Sequence, residues 1–315
     1  MTESSIRAFD VVVIGGGVAG LGAAITAAEE GWQACVALGI TPGGRMANFA
    51  RPVALPFAEP QVYGSAAAGL ALERALDVGV TPIFEQATLT NGGPPFLLEC
   101  GEEQLSARAV VFATGRADAL LGVTGEQDLV GQGISYCASC DGPLFTGDPV
   151  AVVGDSDWAV EEVLELAEVV SAVSLVVGTS GLLCTPDRAA KLAEATNIEV
   201  LTGAAVSDLV AGDHGLDTVV VTAADGRREI PARAVFVLTD GVPDTRYLPA
   251  DVATNEDGSI RVDDFATTVA GLFAVGDVTR DHAASLARNS GDGVAAGLAV
   301  SGYLSRLAAT VASDG

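Results

Sequence analysis

Residues 11–20 read Val-Val-Val-Ile-Gly-Gly-Gly-Val-Ala-Gly. Val11–Ile14 is a fully apolar, β-branched run, the pattern of a parallel strand covered on both faces. Gly15, Gly17 and Gly20 follow at the spacing G-x-G-x-x-G, with Ala19 inside the same turn. Gly15 permits the tight turn, Gly17 lets backbone approach a pyrophosphate, and Gly20 lets a helix pack closely on the strand. Leu21–Glu30 is Ala-rich and reads as that helix, with Gly31 ending it. Gln33–Leu38 is the next strand. Strand, glycine turn, helix and strand make a βαβ unit, and this context makes the fingerprint specific for a dinucleotide. Free N–H groups and the positive end of the dipole at the helix start would receive the phosphates. An acidic ribose ligand is expected at the end of the second strand. Leu38 and Gly39 stand there instead, so NAD is not read from this half.

Beyond this unit, Ser65–Val78 has a helical pattern, and Thr81–Leu89 and Phe96–Cys100 read as strands of a small meander. Ala109–Ala113 is another apolar strand, closed by Thr114-Gly115. Pro149–Val153, Trp158–Val170 and Ser174–Val177 repeat the strand, helix, strand order. Arg188–Ala195 reads as a helix, Thr218–Thr222 and Ala234–Leu238 as strands. Leu272–Val275 is a short strand before Gly276-Asp277, and Ala295–Ala308 closes as a helix. Two βαβ openings predict two nucleotide-type domains, one inserted in the other. The joints fall near Gly115–Ala117 and Thr239–Asp244.

The chain has 315 residues, a length that suits about two domains, and 49% apolar residues, ordinary for a packed protein. Its 16 Lys and Arg face 41 Asp and Glu, a formal net charge of −25. Nucleic acid or an anionic membrane as main partner would need a basic footprint, so both are excluded. No apolar run approaches the ~18–20 residues that span a bilayer. Met1–Asp10 lacks the basic-then-apolar order of a signal peptide, so a cytoplasmic location is expected. Five cysteines, at 35, 100, 137, 140 and 184, are too few and scattered for a secreted disulfide framework. Cys137 and Cys140 alone stand at a suggestive spacing, in Cys137-Ala138-Ser139-Cys140-Asp141-Gly142. Two thiols three residues apart close a small disulfide, and a thiolate stabilised there exchanges with other disulfides. Asp141 is placed to move protons during that exchange. Zinc would need a second such pair or paired histidines. His214 and His282 are isolated, so no metal site is expected. Cys35 and Cys100 fall in strands and read as small buried fillers. Glu161, Glu162, Glu165 and Glu168 read as a solvated helix face.

Along nearly all its length the chain resembles low-molecular-weight thioredoxin reductase. The matching stretches are VVVIGGGVAGLGAA from Val11, PGG at Pro42–Gly44, VFATG at Val111–Gly115 and YCASCDG at Tyr136–Gly142. VAVVG…AVEE from Val150 to Glu162 and GLFAVGDV at Gly271–Val278 complete the set. The resemblance implies an α/β fold of two Rossmann-like three-layer FAD/NAD(P)-binding domains, the second inserted in the first. Residues 1–116 and 242–315 would bind FAD, and residues 117–241 would carry the redox-active Cys137, Cys140 and Asp141. The FAD site would draw on Gly15, Gly17, Ala19, Gly20, Gly43, Gly44, Thr114, Gly115, Gly276 and a ribityl-binding Asp277. Arg45 reads either as reaching a phosphate or the flavin or as a solvated surface arginine. A homodimer and a thioredoxin-like protein or small dithiol/disulfide partner are also implied, with Cys140 beside the flavin.

The inserted half departs from the family. Its second fingerprint, G-x-G-x-x-A, falls on Gly154-Asp155-Ser156-Asp157-Trp158-Ala159. Ser156 replaces the glycine that lets backbone meet pyrophosphate. Asp155 and Asp157 add negative charge, about 1–4 kcal/mol each at 4 Å depending on local dielectric. Trp158 is either a plug of the vacated pocket or a stacking platform for a second flavin. The family's His-Arg-Arg cluster falls on Val177-Gly178-Thr179, and a further Arg on Leu183, so the 2′-phosphate loses its cations. NADPH is therefore not expected. The family's Asn beside the flavin falls on the stretch Val53–Pro56, and its Arg-Gln pair on Ala284-Ser285. Gly291-Asp292-Gly293 reads as a glycine-bounded helix start near the flavin edge. The sequence thus predicts an FAD-dependent dithiol/disulfide oxidoreductase without NADPH, with one or two flavins per chain and an open electron donor. The diflavin-linked disulfide oxidoreductases fit first. Alternatives are a ferredoxin-dependent thioredoxin reductase, an oxygen-dependent small-molecule dithiol oxidase, or a non-catalytic flavin-binding redox sensor.

Overall fold

The computed structural model describes residues 6–39, 42–48, 62–283 and 285–313. The expectations for Val53–Pro56 and Ala284 lie outside the described residues. The chain divides into two compact units, Met1–Ala117 with Val242–Gly315, and Asp118–Gly241.

The first unit is built on a seven-stranded sheet. Its order is Thr81–Ile83, Ala34–Ala37, Arg7–Ile14, Glu103–Phe112, Phe96–Cys100, Ala87–Leu89. The long Glu103–Phe112 strand shares its outer edge. Its first half pairs antiparallel with Phe96–Cys100 and its last three residues pair parallel with Leu272–Ala274. Val11–Ile14 are fully buried, as an all-apolar strand must be when both faces are covered. Val11 and Val13 pack into a cluster with Leu21, Ala24, Ala296 and Val300 from the helices Val18–Glu29 and Leu286–Ser313. Val12 and Ile14 face Phe96, Phe112, Ile260 and Leu272. Each such side chain contributes about 1.5–3 kcal/mol on leaving water.

The terminal helix starts nine residues before the predicted Ala295. Gly291 and Gly293 therefore lie inside it and do not open it. Gly293 and Gly297 let two helices touch: a Cβ would lie 2.4 Å from Ala19 O at the first and 2.8 Å from Ala23 O at the second. The predicted strand Thr81–Leu89 is two strands, Thr81–Ile83 and Ala87–Leu89, interrupted by a bend at Phe84–Gln86.

The second unit has a five-stranded parallel sheet ordered Ile198–Thr202, Ala172–Val177, Pro149–Val153, Ala234–Val237, Ile134–Ser135. One face carries the helix Asp157–Leu166 through Val160 and Val163, against Val150, Val152 and Phe236. The other face receives the antiparallel sheet Ala205–Gly212, Gly215–Ala223, Gly226–Pro231, through Leu216, Val219 and Val221. Helix, parallel sheet and antiparallel sheet make three layers. Glu162, expected on a solvated face, is only 3% exposed.

Candidate functional site

In the first unit, the glycine turn has the geometry its spacing requires. Gly15 takes φ +114°, a conformation that side chains resist, and a Cβ there would lie 2.2 Å from Ala113 O. A Cβ on Gly20 would lie 2.0 Å from Gly15 O, so Gly20 seats the helix beneath the turn. Gly17 differs. It caps the helix Val18–Glu29 without a side-chain hydrogen bond, and a Cβ there would meet nothing within 4 Å. That open space is a cleft of about 250 Å³.

A second glycine loop lies against the first: Gly43 N donates to Gly16 O at 2.8 Å. Gly15, Gly17, Ala19, Gly43, Gly44, Arg45, Thr114, Gly115, Gly276 and Asp277 all line this one cleft. Of the residues predicted for it, Gly20 lies below the turn. Arg45 is partly buried and lines the cleft wall. Thr114 Oγ1 donates to Asp244 O at 2.6 Å and fixes the wall beside Gly115. Asn289, 6% exposed, donates from Nδ2 to Asp277 Oδ1 at 2.8 Å. Asn289 Oδ1 accepts from Arg280 Nη1 at 3.3 Å, and Arg280 pairs with Asp292. The Asp277 carboxylate is thereby held by a relay from the terminal helix. Arg116, which sequence reasoning passed over, also lines the cleft and donates to Arg280 O at 2.7 Å and to Asp281 O at 3.3 Å. Gln86, Asp244, Tyr247 and Asn289 were likewise missed. They stand in loops or in the first turn of the terminal helix, without a motif around them. His282 is exposed beside the Asp281 carboxylate.

In the second unit, Cys137 and Cys140 form a disulfide with a Cα–Cα distance of 5.3 Å. Cys137 caps the one-turn helix Ala138–Asp141, and its Sγ accepts from Cys140 N at 3.2 Å. Ser135, 6% exposed, accepts from Cys137 N at 3.1 Å and so anchors the strand end that delivers the pair. Cys140 is exposed and Asp141 half-buried one residue on. Tyr136, just before the pair, donates to the buried Glu126 at 3.4 Å, and Glu126 also accepts from Leu121 N and Gly122 N at 2.7 and 2.9 Å. Burial first, then the Glu126 charge and hydrogen bond, raises the Tyr136 pKa above its ordinary value. Cys35 and Cys100 are buried, and desolvation pushes their thiols up to about 12 and about 11.

The second glycine turn is covered by its own chain. Gly154 keeps its tight contact, since a Cβ would lie 2.6 Å from Leu238 O. Ser156 then caps the helix Asp157–Leu166 by accepting from Ala159 N at 3.2 Å. Leu183 N donates to Asp155 O at 2.7 Å, and Thr185 N donates to Asp157 Oδ1 at 2.8 Å. One cation does stand beside the turn: Arg188, which is paired with both Asp157 and Glu161. Trp158 is partly buried against a core cluster with Leu164, Leu182 and Cys184 at its margin.

A nucleotide-type cleft in one unit and a Cys-x-x-Cys disulfide in the other define a disulfide oxidoreductase. The family described as pyridine nucleotide-disulphide oxidoreductase matches residues 9–293, and the chain belongs to that family. It is a flavin disulfide oxidoreductase of the thioredoxin reductase-like kind. The chain is 30% identical over 315 residues to thioredoxin reductase of Bacillus subtilis, covering 99% of both. It is 32% identical over 309 residues to a Pseudomonas putida alkyl hydroperoxide reductase subunit, covering 96% of this chain but 59% of that protein. The structure of T. acidophilum thioredoxin reductase superposes with TM-score 0.84 at 29% identity, over 94% of this chain and 98% of that one. The α/β fold with two Rossmann-like units is thus the one the sequence predicts. Among the described residues, no helix is long and apolar enough to cross a membrane, and no cluster of His, Cys, Asp and Glu could hold a metal ion.

Proposed function

We propose that this chain is an FAD-dependent dithiol/disulfide oxidoreductase that does not take electrons from NADPH. The observation that carries the second half is the closed second glycine turn. Ser156 occupies the cap, the 183–185 segment bonds across it, and Arg188 is neutralised by Asp157 and Glu161. A pyrophosphate there would displace hydrogen bonds already made, next to two carboxylates and a paired cation.

The first cleft fits FAD. Its helix start is uncapped, Gly17 leaves the space that backbone approach requires, and the Asp277 carboxylate is anchored in the wall. Gly15–Gly17, Gly43, Gly44 and Arg45 would hold the pyrophosphate, and Asp277 the ribityl hydroxyls. When bound, the flavin supplies two-electron redox chemistry. The chain's own part is thiol chemistry. Two electrons and two protons convert the Cys137–Cys140 disulfide to the dithiol. A thiolate of the pair then attacks a partner disulfide, passes through a mixed disulfide, and the second thiol closes the pair again. The Cys140 N–H that points at Cys137 Sγ favours negative charge on Cys137. Asp141, one residue past Cys140, would relay the proton that the leaving sulfur needs. Exposure of Cys140, with the 77% exposed Leu144 close behind it in sequence, supports a protein disulfide such as a thioredoxin-like fold as partner.

The packing of Trp158 into the core supports a plug over a platform for a second flavin. The test is anaerobic. Dithiothreitol bleaches the flavin of the parent and not that of Cys140→Ser. NADPH leaves the colour unchanged, and denaturation releases one flavin per chain. No bleaching of the parent by dithiothreitol sinks the thiol–flavin exchange, and rapid bleaching by NADPH sinks the closed second turn as a barrier to that donor.

A further inference from the structure

A dinucleotide seated on the first glycine turn brings its adenosine ribose to the end of the second strand. A ribose diol there calls for a polar side chain that accepts from its hydroxyls, a role a carboxylate or an amide oxygen fills. The strand itself offers none. Leu38 is an apolar side chain 4% exposed, and Gly39 has no side chain.

The neighbouring loop fills the place. Phe84–Gln86 crosses the end of Ala34–Ala37, held there by Leu38 N to Ile83 O at 2.8 Å and Gly39 N to Glu85 O at 3.3 Å. The Gln86 amide stands directly over Gly39: a Cβ on Gly39 would lie 2.6 Å from Gln86 Nε2. Gly39 also takes φ +68°. The backbone conformation thus strains any side chain at position 39, and one placed there would push the Gln86 amide aside. Gln86 lines the cleft beside Leu38 and Gly16, and its amide makes no hydrogen bond to another described residue. The other polar side chains of the cleft sit on other elements. Arg45 is on the second glycine loop, Thr114 and Arg116 follow the strand Glu103–Phe112, Asp244 and Tyr247 lie where the chain re-enters the first unit, and Asp277 and Asn289 follow the last strand.

We propose that Gln86 is the ribose-binding residue of this cleft, its amide donating to and accepting from the vicinal hydroxyls of the adenosine ribose of FAD. The amide replaces the expected carboxylate without its charge. In a chain of net charge −25, that removes one repulsion from the neighbourhood of a pyrophosphate. The assignment rests on the reading of the cleft as the FAD site.

The test uses apoprotein titrated by quenching of flavin fluorescence, with FAD and with an FAD analogue whose adenosine is 2′,3′-dideoxy. The parent should hold FAD about tenfold more tightly than the analogue, the worth of one or two hydrogen bonds. Gln86→Ala and the volume-conserving Gln86→Leu should lose that factor for FAD and bind both ligands equally. Their thermal unfolding as apoprotein should match the parent, because Gln86 is exposed. Parent-like FAD affinity in both variants overturns the assignment. So does an equal loss for both ligands with discrimination retained, which marks a structural role. A parent apoprotein that takes up no FAD fails earlier, on the reading of the cleft itself, and the assignment falls with it.

Discussion

Gly17→Ala separates the cleft's role in binding from its role in folding. Gly17 has φ −73° and ψ 175°, a conformation that alanine adopts without strain. Its Cβ would meet no protein atom within 4 Å, and Gly17 lines the cleft. The added methyl therefore projects into the cleft and nowhere else. In the apoprotein, alanine restricts the unfolded chain by about 0.4–1 kcal/mol but is a poorer N-cap than glycine by a similar amount, so stability should stay within about 1 kcal/mol of the parent. In the FAD-bound protein, the methyl takes space that close backbone approach requires. Overpacking of that kind costs about 1–3 kcal/mol, or about 5- to 150-fold in affinity. Urea unfolding of apoprotein reads the first effect and flavin fluorescence titration the second. Parent-like FAD affinity would refute the placement of the pyrophosphate on this turn. An apoprotein destabilised by more than about 2 kcal/mol, beyond what a poorer N-cap explains, would refute the claim that the space is empty.

Gly20→Ala should do the reverse. Its Cβ would sit 2.0 Å from Gly15 O, so the helix must move, and calorimetry should find a Tm lower by several degrees even without flavin. Glu126→Gln should lower the Tyr136 pKa part way toward its ordinary value, read by ultraviolet titration of the phenol. An unchanged pKa would mean that burial alone raises it. Cys35 and Cys100 set a high-pH limit on stability. Their folded pKa values lie above the unfolded value, so the unfolded chain loses its thiol protons first as pH rises. Stability is intact below about pH 9 and falls from there toward pH 11–12, by about 1.4 kcal/mol per thiol per pH unit. Urea midpoints from pH 8 to 11 check this, and a Cys35→Ala, Cys100→Ala variant with the same slope would contradict it.

The parts legible in the sequence are those where one local rule decides. Val11–Ile14 is apolar throughout, and only a strand covered on both faces tolerates that. Cys137 and Cys140 are three apart, and the short helix between them brings their sulfurs together. The terminal helix is harder, because Gly291-Asp292-Gly293 reads as a helix start. Gly293, like Gly297 further on, is retained within the helix because the helix Val18–Glu29 packs against its missing side chain. Tertiary contact outweighs the ~1 kcal/mol that each glycine costs a helix. The strands Ile198–Thr202, Ala205–Gly212 and Gly226–Pro231 escape notice because they are largely exposed and half polar, which blurs a period of two. Gln86 and Asn289 join the cleft from the loop between two strands and from the first turn of the terminal helix. Their importance comes from what lies across from them, Gly39 and Asp277, and no sequence spacing records that.

The excess of acid also bears on the electron donor. Arg74 pairs with Glu29, Arg108 with Asp10, Arg228 with Glu199, Arg246 with Asp244 and Arg280 with Asp292. Such pairs add little stability where exposed, but they fix where positive charge sits. Arginines already facing carboxylates of their own chain contribute little to a basic docking face, and the surplus of 25 negative charges sets the long-range field. An acidic donor such as a ferredoxin approaches against that field, and added salt screens the repulsion beyond a Debye length of about 10 Å at 0.1 M. The second-order rate of flavin reduction by reduced ferredoxin should therefore rise with ionic strength in stopped-flow measurements. The rate with a small neutral dithiol should stay flat. A ferredoxin rate that falls steeply with salt would mean that basic groups gather at a docking site despite their pairing, and the chain's acidity would no longer count against an acidic donor.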